Sequence, residues 1–339
     1  MHIDQLKEHF PDESACRQFF ENWIWATGRR CPRCKSDRSY RLTGRVGLYE
    51  CAACKKQFSV TAQTLFHGTK LPLWKWVKAI YLILTSSKGV SSVILGRMVG
   101  VSQKTAWKMG HAIRQMMEID LLSTPMLKGV VEIDEKFIGG KPRHGDGNDH
   151  KRGKGTSKPQ VLITTQRQGP AYCHVIESDT LCEIQPLVDL IVDESAHLMT
   201  DKSKTHMNIG NQFSSHSSVN HSAREYARGD AHSNTAESFG SMLERAKLGV
   251  FHHMSEKHLS RYLNEASFRW THREGKEMRT KKGKLKIKWT PLPFLKLSAY
   301  LLSNALGHRL KRSSNGGLLE FVRPYDSAAA YRAVPEFGL

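Results

Sequence analysis

The chain has 339 residues, and its 51 Lys and Arg outnumber its 32 Asp and Glu, so its formal net charge is +19. An excess of this size predicts a polyanionic partner, nucleic acid first, because neutralising phosphates releases condensed counterions. With 39% hydrophobic residues the chain is not a disordered basic tail. No apolar run approaches the ~18 residues of a membrane span, and the polar start is not a signal peptide. We therefore expect a cytoplasmic protein with no membrane partner.

The first predicted site is a metal centre that follows an N-terminal helical segment at 1–28. Two Cys-x-x-Cys pairs supply four thiols: Cys31, Cys34, Cys51 and Cys54. This spacing suits tetrahedral coordination of one Zn²⁺, and a closed four-cysteine shell has no open position for catalysis. With strands expected at 39–42 and 48–50 around a turn at 44–47, residues 29–68 predict a zinc ribbon with a structural ion. The alternative is a redox pair or free thiols.

Helical periodicity follows, and we assign residues 69–125 to a helical module. The first helix has five apolar residues on one face: Trp74, Val77, Ile80, Tyr81 and Leu84. Two more helices are expected at 91–99 and 102–117, separated by Gly100, with Ser102 as the cap of the second. A helix pair with a glycine turn predicts a helix-turn-helix whose second helix offers Gln103, Lys104 and Lys108 to DNA. The alternative is a helix pair without DNA contact.

Three carboxylates stand out among the elements predicted in residues 126–273. We expect strands at 130–140, 160–165 and 171–177, a helix near 184–191, strands at 196–201 and 219–222, and a helix at 235–248 that Gly249 ends. Asp134 lies on the first strand, Asp201 ends the fourth, and Glu237 lies on the last helix. These positions converge at one edge of an RNase H-like sheet, so we predict an α/β fold with an RNase H-like catalytic domain.

Converging carboxylates indicate metal-dependent chemistry. They repel one another unless divalent cations lie between them, and Mg²⁺ accepts carboxylate oxygens readily. Two such ions ~3.5–4 Å apart promote in-line phosphoryl displacement, with Mn²⁺ as a substitute. We therefore predict Asp134, Asp201 and Glu237 as catalytic residues and magnesium ligands. Taken singly, Asp201 has the alternative role of a turn residue and Glu237 that of a partner for the helix dipole.

Basic and polar residues near these acids are further candidates. Arg245 and Lys247 follow Glu237 and are predicted to contact DNA, and His221 and Asn234 are predicted to support the acids. A helix cap formed by Ser233 or Asn234 is the simpler account of that segment. The basic segments 141–158 and 276–288 predict contact with the DNA backbone, the second of them in a basic C-terminal extension at 274–339. The alternatives are a solvated linker for the first segment and a solvated run of charge for the second.

An ordered set of motifs carries a family resemblance. The motifs are CPRC at 31–34, QFSV at 57–60, LPLW at 71–74, VEIDE at 131–135, IGGK at 138–141, TD at 200–201, VNHS at 219–222, SNTAESF at 233–239 and HLSRYL at 258–263. From about Phe10 to Arg273 the chain closely resembles the DDE transposases of bacterial insertion sequences of the ISXO type, which have a zinc ribbon ahead of the catalytic domain. The resemblance places the triad on Asp134, Asp201 and Glu237.

The resemblance also implies a function and its partners. It implies metal-dependent cleavage and strand transfer of double-stranded DNA, with recognition of the terminal inverted repeats and of target DNA. Synapsis of two ends implies a homo-oligomer, and the setting is the nucleoid of the bacterial cytoplasm.

Two positions depart from the family pattern. A basic residue usually follows the third acid by seven positions, where this chain has Glu244, and a bulky aromatic usually follows Phe239, where it has Gly240. A non-catalytic DNA-binding protein, either a regulator or a decayed transposase, is therefore the second hypothesis.

Overall fold

The computed structural model describes residues 1–122, 124–139, 156, 158–219, 227–280, 283–306, 309–312 and 319–322. The chain forms two compact units. One comprises residues 1–86 and 90–117 with those described from 292 onward, and the other comprises residues 87–89 and 118–291. None of the helices in the described ranges is long and apolar enough to cross a membrane. The finer division of the sequence into five segments stays a prediction.

The first unit combines helices with a small three-stranded sheet. Its elements are α1 (Ile3–His9), α2 (Glu13–Ile24), β1 (Ser39–Arg41), β2 (Tyr49–Cys51), β3 (Gln57–Phe58), α3 (Leu73–Thr85), α4 (Ser92–Val99), α5 (Gln103–Met116) and, from the end of the chain, α10 (Phe294–Ser303), β11 (Arg309–Arg312) and β12 (Leu319–Val322). The sheet has the antiparallel order β1-β2-β3, and β1 and β2 are the hairpin strands predicted between the cysteine pairs.

Capping residues set the ends of α4 and α5. The Ser91 side chain accepts a hydrogen bond from the amide of Ile94, and that of Ser102 accepts one from the amide of Thr105. Gly100 ends α4 in the left-handed conformation, with φ of 71°, which glycine adopts without steric cost. The helix pair and its turn therefore lie where the sequence predicts them.

The apolar face of α3 is wider than the sequence predicts. Trp74, at the rim of the predicted face, is 42% exposed, whereas Trp76 and Ile83 are buried. The Tyr81 and Phe294 rings contact edge-to-face, 5.2 Å apart, because α10 packs on α3. A helix from the far end of the chain thus contributes to the packing around α3.

The second unit is built on a mixed five-stranded sheet. Its elements are β4 (Val130–Phe137), β5 (Gln160–Gln166), β6 (Ala171–Ile176), α6 (Leu181–Ile191), β7 (His197–Asp201), α7 (Lys204–Gly210), β8 (Ser215–Val219), α8 (Asn234–Ala246), α9 (Glu256–Thr271), β9 (Arg273–Arg279) and β10 (Leu285–Pro291). The strand order is β6-β5-β4-β7-β8. Strands β4, β5 and β6 form an antiparallel meander, and β7 and β8 run parallel to β4.

Apolar residues cover both faces of this sheet. On one face Val131 and Ile133 of β4 belong to a core with Val188 of α6. On the other face Ile163 of β5 packs with Phe239 of α8. Because side chains alternate along a strand, Glu132 and Asp134 lie on the face opposite Val131 and Ile133.

Three sequence expectations need correction in this unit. The fifth strand is Ser215–Val219, the predicted strand 219–222 lies outside the described residues except for Val219, and the short helix α7 precedes β8. The final helix does not end at Gly249, because α8 continues into a π-helical turn over Lys247–Phe251. The β8 residues SHSSV lack an apolar alternation, so pairing with β7, not periodicity, defines this strand.

Candidate functional site

The four predicted zinc ligands form one compact cluster. Their sulfur atoms all lie within 4.8 Å of one another, with 3.6 Å between Cys31 and Cys54 and 3.4 Å between Cys34 and Cys51. Four sulfurs at ~2.3 Å from a tetrahedral Zn²⁺ are separated by about 3.8 Å. The cluster therefore fits zinc, with every coordination position filled by sulfur.

Two similar turns present the cysteines. The amide of Lys35 donates to the Cys31 carbonyl at 2.9 Å, and the amide of Lys55 donates to the Cys51 carbonyl at 3.0 Å. Both lysines adopt left-handed backbone conformations, with φ of 63° and 58°. Each Cys-x-x-Cys pair thus shapes its half of the centre within a few residues.

The three predicted catalytic acids are neighbours in the second unit. Strands β4 and β7 pair in parallel with Glu132 opposite Met199, so Asp134 and Asp201, each two residues further on, lie at the same level of adjacent strands. Glu237 lies in the first turn of α8. Burial, and then the negative charges of Glu135, Glu237 and Asp201, raise the pKa of Asp134 to about 6. The structure therefore brings the triad into one electrostatic environment.

The acidic site is wider than the cysteine cluster. Within the described ranges, the cysteines are the only group of three or more His, Cys, Asp or Glu side chains whose ligand atoms all lie within 4.8 Å of one another. An all-oxygen donor set suits Mg²⁺ or Mn²⁺, and a divalent cation would relieve the repulsion that raises the pKa of Asp134. The acidic residues therefore fit such an ion in chemistry and in charge.

His206 of α7 links two of the acids, and sequence reasoning missed it. Its Nδ1 lies 2.5 Å from Asp201 Oδ1, and its Nε2 lies 2.9 Å from Glu135 Oε1, with the imidazole fully buried. Burial alone would lower the pKa of His206, but its contacts with Asp201 and Glu135 raise it to about 9. Burial alone would raise the pKa of Asp201, but His206 and the Ser203 amide bring it to about 2. The two residues thus form an ion pair at neutral pH.

Glu132 is a second residue that sequence reasoning missed. Its buried carboxylate accepts hydrogen bonds from the amides of Thr235 at 2.6 Å and Ala236 at 3.0 Å, and from the Thr235 hydroxyl at 3.0 Å. Arg167 donates to it through Nε at 2.6 Å and, through Nη2, to the carbonyls of Asp230 and His232. Strand β4 therefore fixes the first turn of α8, which carries Glu237.

This arrangement corrects the expectation that Ser233 or Asn234 caps the helix. The N-cap residue Ser233 makes no capping hydrogen bond through its side chain, and Glu132 of β4 satisfies the free amides instead. The sequence signal for Glu132 is an acidic residue within an apolar strand. It lies two positions before Asp134 and therefore on the same face of the sheet.

Comparison with known proteins supports the resemblance that the motifs predict. A family model described as an ISXO2-like transposase domain matches residues 126–271, and one described as a transposase zinc-ribbon domain matches residues 11–57. The two matched segments are similar to these domains and follow the order that the sequence predicts, with the zinc ribbon first. The first match contains all three acids, and the second contains all four cysteines.

Two individual proteins are similar to the chain, both at sequence identities below 30%. A protein of Halobacterium salinarum described as an uncharacterized protein in transposable element ISH50 is 28% identical over 263 residues, which cover 72% of this chain and 86% of the relative. A solved structure, the Mos1 transposase paired-end complex with left transposon end, aligns with 57% of this chain and 76% of its own at 14% identity and a TM-score of 0.22. A likeness this weak carries no argument about the fold.

The two departures from the family pattern, Gly240 and Glu244, each have a lysine as a neighbour. A Cβ atom on Gly240 would lie 3.1 Å from Lys136 Cδ and 3.4 Å from Ile163 Cδ1, so a larger side chain there requires the Lys136 side chain to shift. Glu244 forms an ion pair with Lys247 at 2.8 Å, and Lys247 also donates to the Gly139 carbonyl at 2.9 Å. The charge of Lys247 is thus compensated within the unit, whereas Arg245 is exposed.

The remaining candidates lie in different settings. Gln103, Lys104 and Lys108 are all exposed on α5, and Gln103 also donates to the Ser92 hydroxyl at 2.9 Å. Asn234 begins α8, and its amide lies 3.4 Å from His232 Nδ1. His221 and nearly all of the basic segment 141–158 lie outside the described residues.

Proposed function

We propose that this chain is a DDE-type DNA transposase that binds the terminal inverted repeats of its insertion sequence and catalyses metal-dependent DNA cleavage and strand transfer. The observation that carries the proposal is the placement of Asp134 and Asp201 at one level of adjacent parallel strands, with Glu237 acting electrostatically on Asp134. The match of residues 126–271 to a transposase domain supports the same function.

The topology of the sheet supports an RNase H-like assignment. Three antiparallel strands form a meander, two further strands run parallel to the first, and the first strand lies in the centre of the sheet. The acids occupy the central strand, its parallel neighbour and the helix after the last strand. These are the places in which the RNase H-like prediction put them.

Each acid has a distinct part in the proposed chemistry. Asp134 and Asp201 would bind both Mg²⁺ ions, or Mn²⁺ in their place, and Glu237 would bind one of them. When bound, such a pair of ions activates an attacking oxygen and stabilises the leaving oxygen of an in-line phosphoryl displacement. His206 keeps Asp201 ionised, and Glu132 holds α8, and with it Glu237, against β4.

DNA recognition is assigned to the first unit and to basic residues of the second. The exposed Gln103, Lys104 and Lys108 of α5 support a helix-turn-helix in which α5 enters the major groove, with the zinc ribbon as a companion module. The exposed Arg245 is the better candidate than Lys247 for a phosphate contact, because Lys247 pairs with Glu244. Synapsis of two ends would require more than one copy of the chain.

The test is Asp134→Asn in a strand-cleavage assay on a duplex that carries the inverted repeat, with Mg²⁺ and with Mn²⁺. We expect cleavage to fall by more than about 100-fold, beyond the loss typical of a metal's supporting residues, while repeat binding stays within about twofold. Asp193→Asn is the matched control, because Asp193 pairs with Lys128 ahead of the N-terminal end of β7 and should not affect cleavage.

Two outcomes would overturn the assignment. Retained cleavage by Asp134→Asn would exclude this acid as a metal ligand. Repeat binding by the unaltered chain without cleavage under any metal condition would favour the second hypothesis of a non-catalytic DNA-binding protein.

A further inference from the structure

The ribbon formed by β9 and β10 carries three lysines on one face. The strands pair alone as an antiparallel two-stranded sheet, with Lys276 opposite Lys288 and Met278 opposite Lys286. Because paired residues share a face, Lys276, Lys286 and Lys288 lie together on one side of the ribbon, and all three are exposed. We call these three residues the lysine face.

The opposite side of the ribbon has a different character. Trp289 and Ile287 are half-buried there, and the Arg273 guanidinium lies 3.8 Å from the Trp270 ring centre and 5.0 Å from that of Trp289. This stacking joins the ribbon to α9, which carries Trp270. The ribbon is therefore anchored through one face, and the lysines occupy the other.

The lysine face is electrostatically unfavourable by itself. Like charges directly opposite each other in an antiparallel pair are destabilising, and Lys276 and Lys288 form such a pair. In the part of the chain that the structure describes, no ion pair within 4.0 Å compensates these three lysines, and Glu274 is the one acid on their side of the two strands. A polyanion would relieve this repulsion.

We infer that the lysine face binds the sugar-phosphate backbone of double-stranded DNA, independently of base sequence. Lys286 and Lys288 are two residues apart on one strand, a spacing of about 6.8 Å, so their flexible side chains can reach separate phosphates of a DNA strand, which carries one charge per about 3.4 Å of helix axis. Lysine acts as a point charge toward phosphate, whereas base reading favours planar side chains. This inference rests on the proposed function, since it takes DNA as the partner.

The experiment compares two triple variants of the full chain that lose the same charge. One is Lys276→Gln/Lys286→Gln/Lys288→Gln, and the other removes three exposed lysines from scattered positions, Lys7→Gln/Lys88→Gln/Lys257→Gln. Binding is measured on a repeat-containing duplex and on a scrambled one. The salt concentration runs from about 50 to about 200 mM, a range over which phosphate contacts make the affinity depend strongly on salt.

For the lysine-face variant we expect the slope of log affinity against log salt to become shallower by about 2 to 3, since each phosphate contact contributes roughly 0.9. Affinity at 100 mM salt should fall roughly 10- to 100-fold on both duplexes. The scattered variant should change the slope by less than about 1.

Three results would decide against the inference or its basis. Equal slopes for the two variants would overturn the lysine face as a DNA contact. A loss confined to the repeat-containing duplex would overturn the assignment to the backbone. An unaltered chain that binds neither duplex at low salt would instead refute the proposed function.

Discussion

The cysteine cluster and the acidic edge of the sheet are two candidate metal sites built in opposite ways. The cysteines come from two short turns of one small sheet, and their sulfurs already lie within 4.8 Å of one another. The acids come from β4, β7 and α8 and lie further apart, and burial together with the charges of neighbouring acids raises the pKa of Asp134. A local site is shaped by its own residues, whereas a dispersed site requires other residues to support it.

Two buried residues provide that support at the acidic edge. Glu132 joins β4 to the first turn of α8, and His206 joins Asp201 to Glu135. Neither is one of the predicted ligands. We therefore expect zinc binding to depend on the four cysteines alone. Metal binding at the acidic site should depend also on residues that do not bind the metal.

The largest effect is expected at the zinc site. Cys51→Ser should release the ion and unfold the ribbon, because binding of a structural zinc contributes roughly 10 kcal/mol or more to folding of such modules. Zinc content and amide hydrogen exchange of Tyr49 and Phe58 measure the change. Cys16→Ser, at a buried cysteine outside the cluster, is the control and should retain zinc. Full zinc content in Cys51→Ser would contradict the assignment.

An intermediate effect is expected for Glu132→Gln, which leaves Arg167 without its carboxylate partner. Breaking a buried ion pair should lower the free energy of unfolding by about 3 kcal/mol or more. Misplacement of α8 should weaken Mn²⁺ binding roughly 10-fold, measured by the paramagnetic resonance signal of the free ion.

Glu265→Gln is the matched control for this variant. It breaks another buried ion pair, with Arg269 on α9 at 2.6 Å, and no predicted metal ligand takes part in that pair. Its loss of stability should be similar, but its Mn²⁺ affinity should match that of the unaltered chain. Equal Mn²⁺ affinities for the two variants would show that Glu132 stabilises the fold without supporting the metal site.

The smallest effect concerns the dependence of stability on pH. The pKa of His206 is about 9 in the folded chain and about 6.5 when unfolded, so the folded state binds the proton more tightly. Its contribution of roughly 3 kcal/mol is fully present below pH 6.5 and is lost as the pH rises through 9. Urea unfolding without added divalent cation should show this decline.

His206→Asn should remove that decline between pH 6.5 and 9. His174 and His272 do not obscure the window, because burial lowers the pKa of both and their protonation affects stability below pH 6.5. A parallel decline in the variant and the unaltered chain would show that His206 is not protonated in the ion pair.

Local patterns were sufficient for several elements of the fold. The zinc cluster, the caps at Ser91 and Ser102 and the turn at Gly100 all depend on residues a few positions apart. The meander β4 to β6 was predictable because β4 alternates apolar and acidic residues, and β5 and β6 are short, mostly apolar runs bounded by polar segments. Strand β8 and helix α7 were not, because their polar residues take their structure from neighbouring elements.

The sequence by itself determined the residue types of both candidate sites: four thiols in two short turns, and three acids in an order that resembles one family. Only the tertiary structure decided how the acids are supported, because Glu132 meets Thr235 and His206 meets Glu135 across long stretches of chain. It also decided that Lys276, Lys286 and Lys288 share one face, since that depends on strand register. The net charge of +19 predicted a polyanion, and the register of β9 and β10 places part of that charge on one surface.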